Sequence, residues 1–186
     1  GSHTITNAEL LELDVDVLVP AALENQITLA NAKKIRARVV AEAANGPTTP
    51  GAEENMIDRG IMVLPDIFMN AGGVTVSYFE WTKNLSHIRY GRLQKRVDED
   101  FRNTFIDATE DLTGGKYSAK VRRKLQRDVN EEDLVNSGLE ESMITAFREI
   151  NDIYRRYKKV KDMRTAAFMV AISKVAKSYE ELGIFP

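Results

Sequence analysis

"ARVVAEAANGPTTPGAEENMIDRGIMVLP", residues 37 to 65, opens and closes on short runs of branched aliphatics with a segment of helical length between them. The runs "ARVVAEA" (37–43) and "IMVLP" (61–65) have the length and composition of strands buried on both faces, and "DVLVP" (16–20) repeats the pattern upstream. The connecting segments carry helix starts. Thr6 with Glu9 fits a capping box before "NAELLEL", and Thr28 is placed to cap "LANAKKI". Thr49 followed by Pro50 puts a proline where its missing N–H costs nothing. Strands alternating with helices imply a parallel sheet with right-handed crossovers.

Three such strands amount to half of a doubly wound sheet. The fold class expected is α/β: the second half of a doubly wound, Rossmann-like parallel sheet followed by a mainly helical C-terminal region. From Asn70 the period becomes helical. "NAGGVTVSYFEWTKN" (70–84) starts a helix, "YGRLQKRVDEDFRNTFIDATEDL" (90–112) continues as an amphipathic stretch, and Gly114-Gly115 breaks it. Ser137 and Glu140 form another capping box, after which Leu139, Met143, Phe147, Ile150, Tyr154 and Tyr157 recur at helical spacing. The segment "MRTAAFMVAISKVAKSYEEL" (163–182) is apolar almost all round between Ala166 and Ile172, which predicts burial between other elements.

A chain of 186 residues with 43% hydrophobic content can bury a sizeable core. No window approaches the roughly 18 apolar residues of a membrane span, and no secretory leader is visible, so no membrane partner is expected and the default location is cytoplasm or an organelle matrix. With no cysteine and two histidines, there is no disulfide or thiolate metal site, and a metal centre is not expected. Gly1-Ser2-His3 reads as a cloning remnant, so His3 carries no functional argument. His87, in "SHIRYGR", has no neighbour at a spacing that would activate it and reads as an exposed or helix-terminal residue.

The net charge of −2 is unevenly spread: residues 1–84 hold 6 basic and 11 acidic groups, residues 85–186 hold 20 and 17. The basic runs "KYSAKVRRKLQR" (116–127) and "YRRYKKVKDMR" (154–164) lack an interleaved stacking platform, and the tyrosines of the second fit packing positions. They read as solvated helix faces, with no nucleic-acid partner expected.

In open parallel sheets, ligands sit beyond the carboxyl ends of the strands. The first strand leads into Pro20-Ala21-Ala22, with no large side chain in the way; the second leads into Asn45-Gly46-Pro47; the third leads through Pro65-Asp66 to Asn70. A carboxamide can both donate to and accept from a ribose hydroxyl or another amide. Asn-Gly-Pro is equally a turn signal, and the residue types leave Asn45 open to both readings. On a helix, Asn70, Gly73, Val74 and Ser77 share one stripe. Each interior glycine costs roughly 0.8–1 kcal/mol against alanine, so Gly72 and Gly73 point to a close approach, by another helix or by a substrate.

The stretches "ELLELDVDVLVPAALENQIT" (9–28), "ANGPTTPGAEE" (44–54), "NAGGVTVSYFEWTKN" (70–84) and "DMRTAAFMVAISKVAKSYEELGIFP" (162–186) together resemble the glutamate dehydrogenase family over nearly the whole chain. The resemblance implies a C-terminal fragment of an enzyme that interconverts L-glutamate with 2-oxoglutarate and ammonia, with NAD or NADP as hydride acceptor, assembled as a homohexamer. It implies that Ala21, Ala22 and Asn45 line the nicotinamide-ribose part of the cofactor site and that Asn70 lies near nicotinamide and substrate. Val74 and Ser77 match substrate-pocket positions, the serine contacting the side-chain carboxylate of glutamate. Residues 1–84 then correspond to the C-terminal half of the dinucleotide-binding domain, 85–137 to a helical, antenna-like insertion, and 138–186 to C-terminal helices packing back on the core.

There are departures as well. "GGVTVS" does not follow a strand with the spacing of a phosphate-binding G-x-G-x-x-G, and the family's catalytic lysine and aspartate belong to an N-terminal domain outside these residues. No catalytic residue is therefore assigned in this chain, and on its own it is expected to be inactive. Asn136 and Thr145 stand where animal members have residues linked to nucleotide regulation, which argues against regulation of that kind here. Ser77 argues mildly against a leucine, valine or phenylalanine dehydrogenase, because an apolar substrate wants no hydroxyl there. The reading from a different class is a non-catalytic helical module for interaction or oligomerisation, built on the stripe from Leu139 to Tyr157.

Overall fold

The computed structural model describes residues 4–86, 95–127 and 130–183. His87 lies outside them. The fold is α/β, and the described residues fall into two compact units: one up to Val74 and again from Ser142, the other Thr75–Glu141.

The first unit holds a three-stranded parallel sheet in the order β1 (Val17–Leu18), β2 (Val39–Ala41), β3 (Met62–Leu64). Val17 lies opposite Val39, and Val39 opposite Met62, so the carboxyl ends of all three strands emerge side by side. Helix α1 (Asn7–Leu11) precedes the sheet and begins on the expected capping box: Thr6 Oγ1 accepts from the Glu9 N–H at 3.2 Å, and Glu9 Oε2 accepts from the Thr6 N–H at 2.7 Å. Helix α2 (Pro50–Asp58) joins β2 to β3 with proline at its first position.

The β1-to-β2 crossover departs from the α-helix expected after Thr28. It forms only a 3₁₀ turn, Ala32–Lys34. Within this loop the Asn31 carboxamide accepts from the Thr28 N–H and donates to the Gln26 carbonyl, both at 2.8 Å. These bonds fold the segment before the turn back on itself. Arg59, at the end of α2, fastens the turn by donating to the Ala32 and Ile35 carbonyls, each at 2.6 Å.

Alternation along β3 divides the core. Val63 joins Leu11, Leu18, Ile35, Val40 and Met56 on one face, whereas Leu64 packs with Phe68, Ile150, Met163 and Ala166 on the other. Burial on both faces, expected from the branched runs, is corrected: Leu18, Val40 and Val63, register partners on the first face, are buried, whereas on the other face Ala41 is buried but Val17 and Met62 are half exposed. Helix α3 (Asp66–Met69) follows β3, and α8 (Met163–Leu182) packs on β3 and α3. Asp162 caps α8, accepting from the Thr165 N–H at 2.6 Å.

Burial of α8 all round is corrected. Ala166 and Ala167 are buried, but Phe168 and Ile172 are 47% and 64% exposed. The two alanines let one face approach the sheet closely; within this chain the opposite face, Phe168, Ile172, Val175, Tyr179 and Leu182, forms an open stripe at helical spacing.

Helix α4 (Ala71–Ser86) contributes to both units, as does α7 (Glu131–Arg156), which runs straight through Ser137. The expected capping box at Ser137 is therefore absent. Its counterpart is Asn130 with Asp133: Asn130 Oδ1 accepts from the Asp133 N–H at 2.7 Å, and Asp133 Oδ2 accepts from the Asn130 N–H at 3.1 Å. Of the α7 stripe, Ile150 is buried, Met143 and Tyr154 pack beside it, and the Phe147 ring lies 6.0 Å from that of Phe68, but Tyr157 is exposed.

In the second unit, α5 (Lys95–Thr113) and α6 (Ala119–Leu125) flank the expected break at Gly114. Arg122 ties them, reaching Glu110 at 3.2 Å and Asp107 at 3.3 Å. Gly138 admits the Phe79 ring, which an added Cβ would meet at 3.2 Å, and Lys83 pairs with Glu131.

Candidate functional site: the carboxyl edge of the sheet

The segments leaving the three strands are sewn together by backbone hydrogen bonds. The Pro20 carbonyl after β1 accepts from the N–H groups of Ala43 and Ala44 after β2, at 3.0 and 3.1 Å. Farther out, the Asn25 N–H donates to the Gly46 carbonyl at 2.9 Å, and Gln26 and Ile27 both donate to the Pro47 carbonyl. The Thr49 N–H returns a bond to the Ile27 carbonyl at 2.9 Å. Two left-handed residues make the weave possible: Gly46 at φ 52° and Asn25 at φ 53°. Glycine carries no Cβ penalty there, and asparagine is among the few side chains that tolerate it.

Asn45 and Asn70 meet at this edge. Asn70 Nδ2 donates to Asn45 Oδ1 at 2.5 Å. One donor and one acceptor are spent on the pair itself, leaving the Asn45 NH2, the second Asn70 N–H and the Asn70 carbonyl as capacity for a ligand. A group that both donates and accepts, such as a carboxamide or a sugar hydroxyl, matches that capacity. The turn reading of Asn45-Gly46-Pro47 holds too, since the left-handed Gly46 is what turns the chain.

Asp66 fixes both partners of the pair. Its Oδ2 accepts from the Gly46 N–H at 2.8 Å, beside Asn45, and its own carbonyl accepts from the Asn70 N–H at 3.0 Å. Asp66 is held in turn by an ionic cluster. Arg164, in the first turn of α8, donates through Nη1 to Asp66 Oδ1 at 2.6 Å, through Nη2 to Glu42 Oε2 at 2.5 Å and through Nε to Glu53 Oε2 at 2.8 Å. Glu42 Oε2 also accepts from the Asp66 N–H at 2.9 Å.

The cluster is costly to bury, and its geometry offsets the cost. Glu42 is 0% exposed, and its Oε1 has no hydrogen-bond partner among the described residues. Burial pushes the Glu53 carboxyl above its ordinary value, which the Arg164 contact counters only in part. Burial works the same way on Asp66, but hydrogen bonds from Gly46, Arg164 and Ile67 outweigh it and hold that carboxyl below the ordinary value. On Arg164, burial favours the neutral form, and the hydrogen bonds it donates to Asp66 and Glu53 more than reverse it. One planar guanidinium spanning three carboxylates is geometry that arginine can supply and lysine cannot.

The other sequence-derived positions are placed as follows. Ala21 and Ala22 are exposed, directly after the Pro20 that is bonded to β2's exit. Val74 is exposed on α4, and among the described residues a Cβ added at Gly73 would meet no atom within 4 Å. Ser77 lies farther along α4, in the second unit. Sequence reading passed over Glu42, Glu53 and Arg164 and gave Asp66 no role. The available signal was charge in apolar company: Glu42 inside "VVAEAA" and Arg164 before "TAAF" must find partners if their neighbours are buried.

A parallel α/β sheet of this kind, its carboxyl-edge loops locked together, defines a domain of the doubly wound class. The sequence model of the Glutamate/Leucine/Phenylalanine/Valine dehydrogenase family matches residues 1–124, and the chain belongs to that family. It is 41% identical over 183 residues to the mitochondrial glutamate dehydrogenase of Dictyostelium discoideum, covering 98% of this chain and 36% of that protein. It is 54% identical over 109 residues to the NADP-specific glutamate dehydrogenase of a Synechocystis strain, covering 59% of this chain and 25% of that protein. The crystal structure of glutamate dehydrogenase from Peptoniphilus asaccharolyticus superposes with a TM-score of 0.61 at 32% identity, over 91% of this chain and 32% of that one. This chain thus spans about a third or less of the length of these relatives. No helix among the described residues is long and apolar enough to cross a membrane.

Proposed function

We propose that this chain is the part of an NAD- or NADP-dependent glutamate dehydrogenase that closes the nicotinamide side of the coenzyme site and contributes one wall of the glutamate pocket. The observation that carries the reading is the Asn45–Asn70 pair at the carboxyl edge of a parallel sheet, with donor and acceptor capacity suited to a carboxamide or ribose hydroxyl. Ala21 and Ala22 give a flat molecule access to backbone, and Asn45 and Asn70 orient it. When bound, the nicotinamide supplies the hydride chemistry; the chain's own contribution is orientation, which can account for a large share of a rate. Val74 and Ser77 set the width and polarity of the substrate wall, the hydroxyl favouring glutamate over an apolar amino acid. The substrates are L-glutamate, 2-oxoglutarate and ammonia.

Residues 1–84 serve as the coenzyme half-domain, residues 85–137 as a helical arm, and residues 138–186 as helices that return to the core. Assembly as a homo-oligomer, a hexamer by the family resemblance, is supported by the exposed apolar stripe of α8, which calls for a cover. The 186-residue chain alone does not turn over glutamate. The test is glutamate-dependent reduction of NAD and of NADP by the complete polypeptide that contains this sequence, beside the isolated chain. Turnover by the former and none by the latter is expected; failure of the complete polypeptide to reduce either coenzyme, or titratable turnover by the isolated chain, overturns the respective half of the reading.

A further inference from the structure

We propose that Arg164 is a positioning residue for the coenzyme site: from the start of α8 it clamps Asp66, and through Asp66 it sets the Asn45–Asn70 pair. The inference rests on the coenzyme role given to that pair. The path has two arms that part at Asp66. In one, Arg164 Nη1 bonds Asp66 Oδ1 at 2.6 Å, and the other carboxylate oxygen takes the Gly46 N–H at 2.8 Å, fixing the residue next to Asn45. In the other, the Asp66 carbonyl takes the Asn70 N–H at 3.0 Å.

Arg164 also controls the backbone of Asp66. Its Nη2 bonds Glu42 Oε2, the same oxygen that accepts from the Asp66 N–H. The guanidinium therefore holds Asp66 by side chain and, through Glu42, by main chain. Glu53, on Nε, sets the plane of the fork from α2. Without the cation, three carboxylates would share a site that leaves Glu42 fully buried. Like charges at such range repel strongly away from water, and the most exposed of the three, Asp66, is the one free to swing out. If it does, the Gly46 N–H loses its acceptor and Asn45 its reference to Asn70.

Arg164→Lys keeps a charge but cannot bond three carboxylates from one plane. In the complete enzyme it is expected to raise the KM for coenzyme about tenfold, and the dissociation constant for reduced coenzyme by a similar factor, because a small misplacement of orienting groups is enough. The control is Ala167→Gly, which weakens α8 without touching the cluster. It is expected to lower thermal stability and leave the coenzyme KM at the wild-type value. A purely structural Arg164 would make Arg164→Lys behave like that control, with kcat per mole falling as the folded fraction falls and KM unchanged; this outcome overturns the inference.

Should Arg164→Lys fail to fold, Asp66→Asn carries the test. It keeps an acceptor for Gly46 but loses the charge that Arg164 grips, and about a threefold rise in coenzyme KM is expected. An unchanged KM in folded Asp66→Asn also overturns the inference. Failure of the wild-type polypeptide to bind NADH or NADPH at all would instead sink the coenzyme reading on which this one stands.

Discussion

Asn70 donates its side-chain N–H to the side-chain carbonyl of Asn45 at 2.5 Å, joining the exits of β3 and β2 across 25 positions of sequence. The contact exists because both residues are anchored to Asp66, Asn70 through its main chain and Asn45 through the next residue, Gly46. Two carboxamides held against each other in this way are already ordered in the free chain, and under the coenzyme role proposed for them this order lowers the entropy lost on binding.

The turn that aims Asn45 depends on Gly46 at φ 52°. An alanine there meets no steric neighbour but must adopt the left-handed conformation. Gly46→Ala is expected to cost about 1–2 kcal/mol in a urea titration. Asn25→Gly, at φ 53°, relieves the Cβ penalty at its own position and is expected to change stability by only a few tenths of a kcal/mol.

Asp66 and Glu53 respond to acid in opposite senses. The folded pKa of Asp66 lies below its ordinary 3.8, so its contribution to stability is complete above that value and is lost as pH falls through the folded pKa. The folded pKa of Glu53 lies above its ordinary 4.5, so its contribution is complete below that value and is lost as pH rises through the folded pKa. Urea midpoints measured from about pH 3 to about pH 8 are expected to show that Asp66→Asn flattens the acid limb below about pH 4. Glu53→Gln is expected to leave that limb in place and to remove a decline setting in above pH 4.5.

The proposed role of Ser77 in substrate choice has a direct test. Ser77→Leu in the complete enzyme is expected to reduce kcat/KM for glutamate about tenfold or more while leaving norvaline nearly untouched, since a hydrogen bond to a charged group is worth about 1.5–3 kcal/mol. Equal losses for the two amino acids would show that Ser77 does not read the side-chain carboxylate.

Much of the sheet was legible because its signals are local. Branched runs flanked by Thr6-to-Glu9 and Thr49-Pro50 starts name their own elements, and all three strands formed where those runs lie. The 3₁₀ turn was not legible, because the bonds that shape its loop, from Asn31 to Thr28 and Gln26 and from Arg59 to Ala32 and Ile35, show only in the folded chain. The pseudo-cap at Ser137 misled for the complementary reason: an equally good pair, Asn130 with Asp133, stands upstream, and the helix starts at the first one that fits. Asn45 and Asn70 could be singled out by their place after strands. Arg164 could not, because it lies 98 residues from Asp66 and its meaning depends on three carboxylates that only the packing of α8 brings within reach.

The decisive measurement is the coenzyme dependence of glutamate oxidation in the complete enzyme, comparing wild type with Asn45→Ala and Asn70→Ala at matched thermal stability. Loss of one hydrogen bond of about 1 kcal/mol or more in each variant should raise the KM for NAD or NADP several-fold, with Asn70→Ala also lowering kcat. Wild-type kinetics in both variants, in protein as stable as the parent, would contradict the role given to the pair.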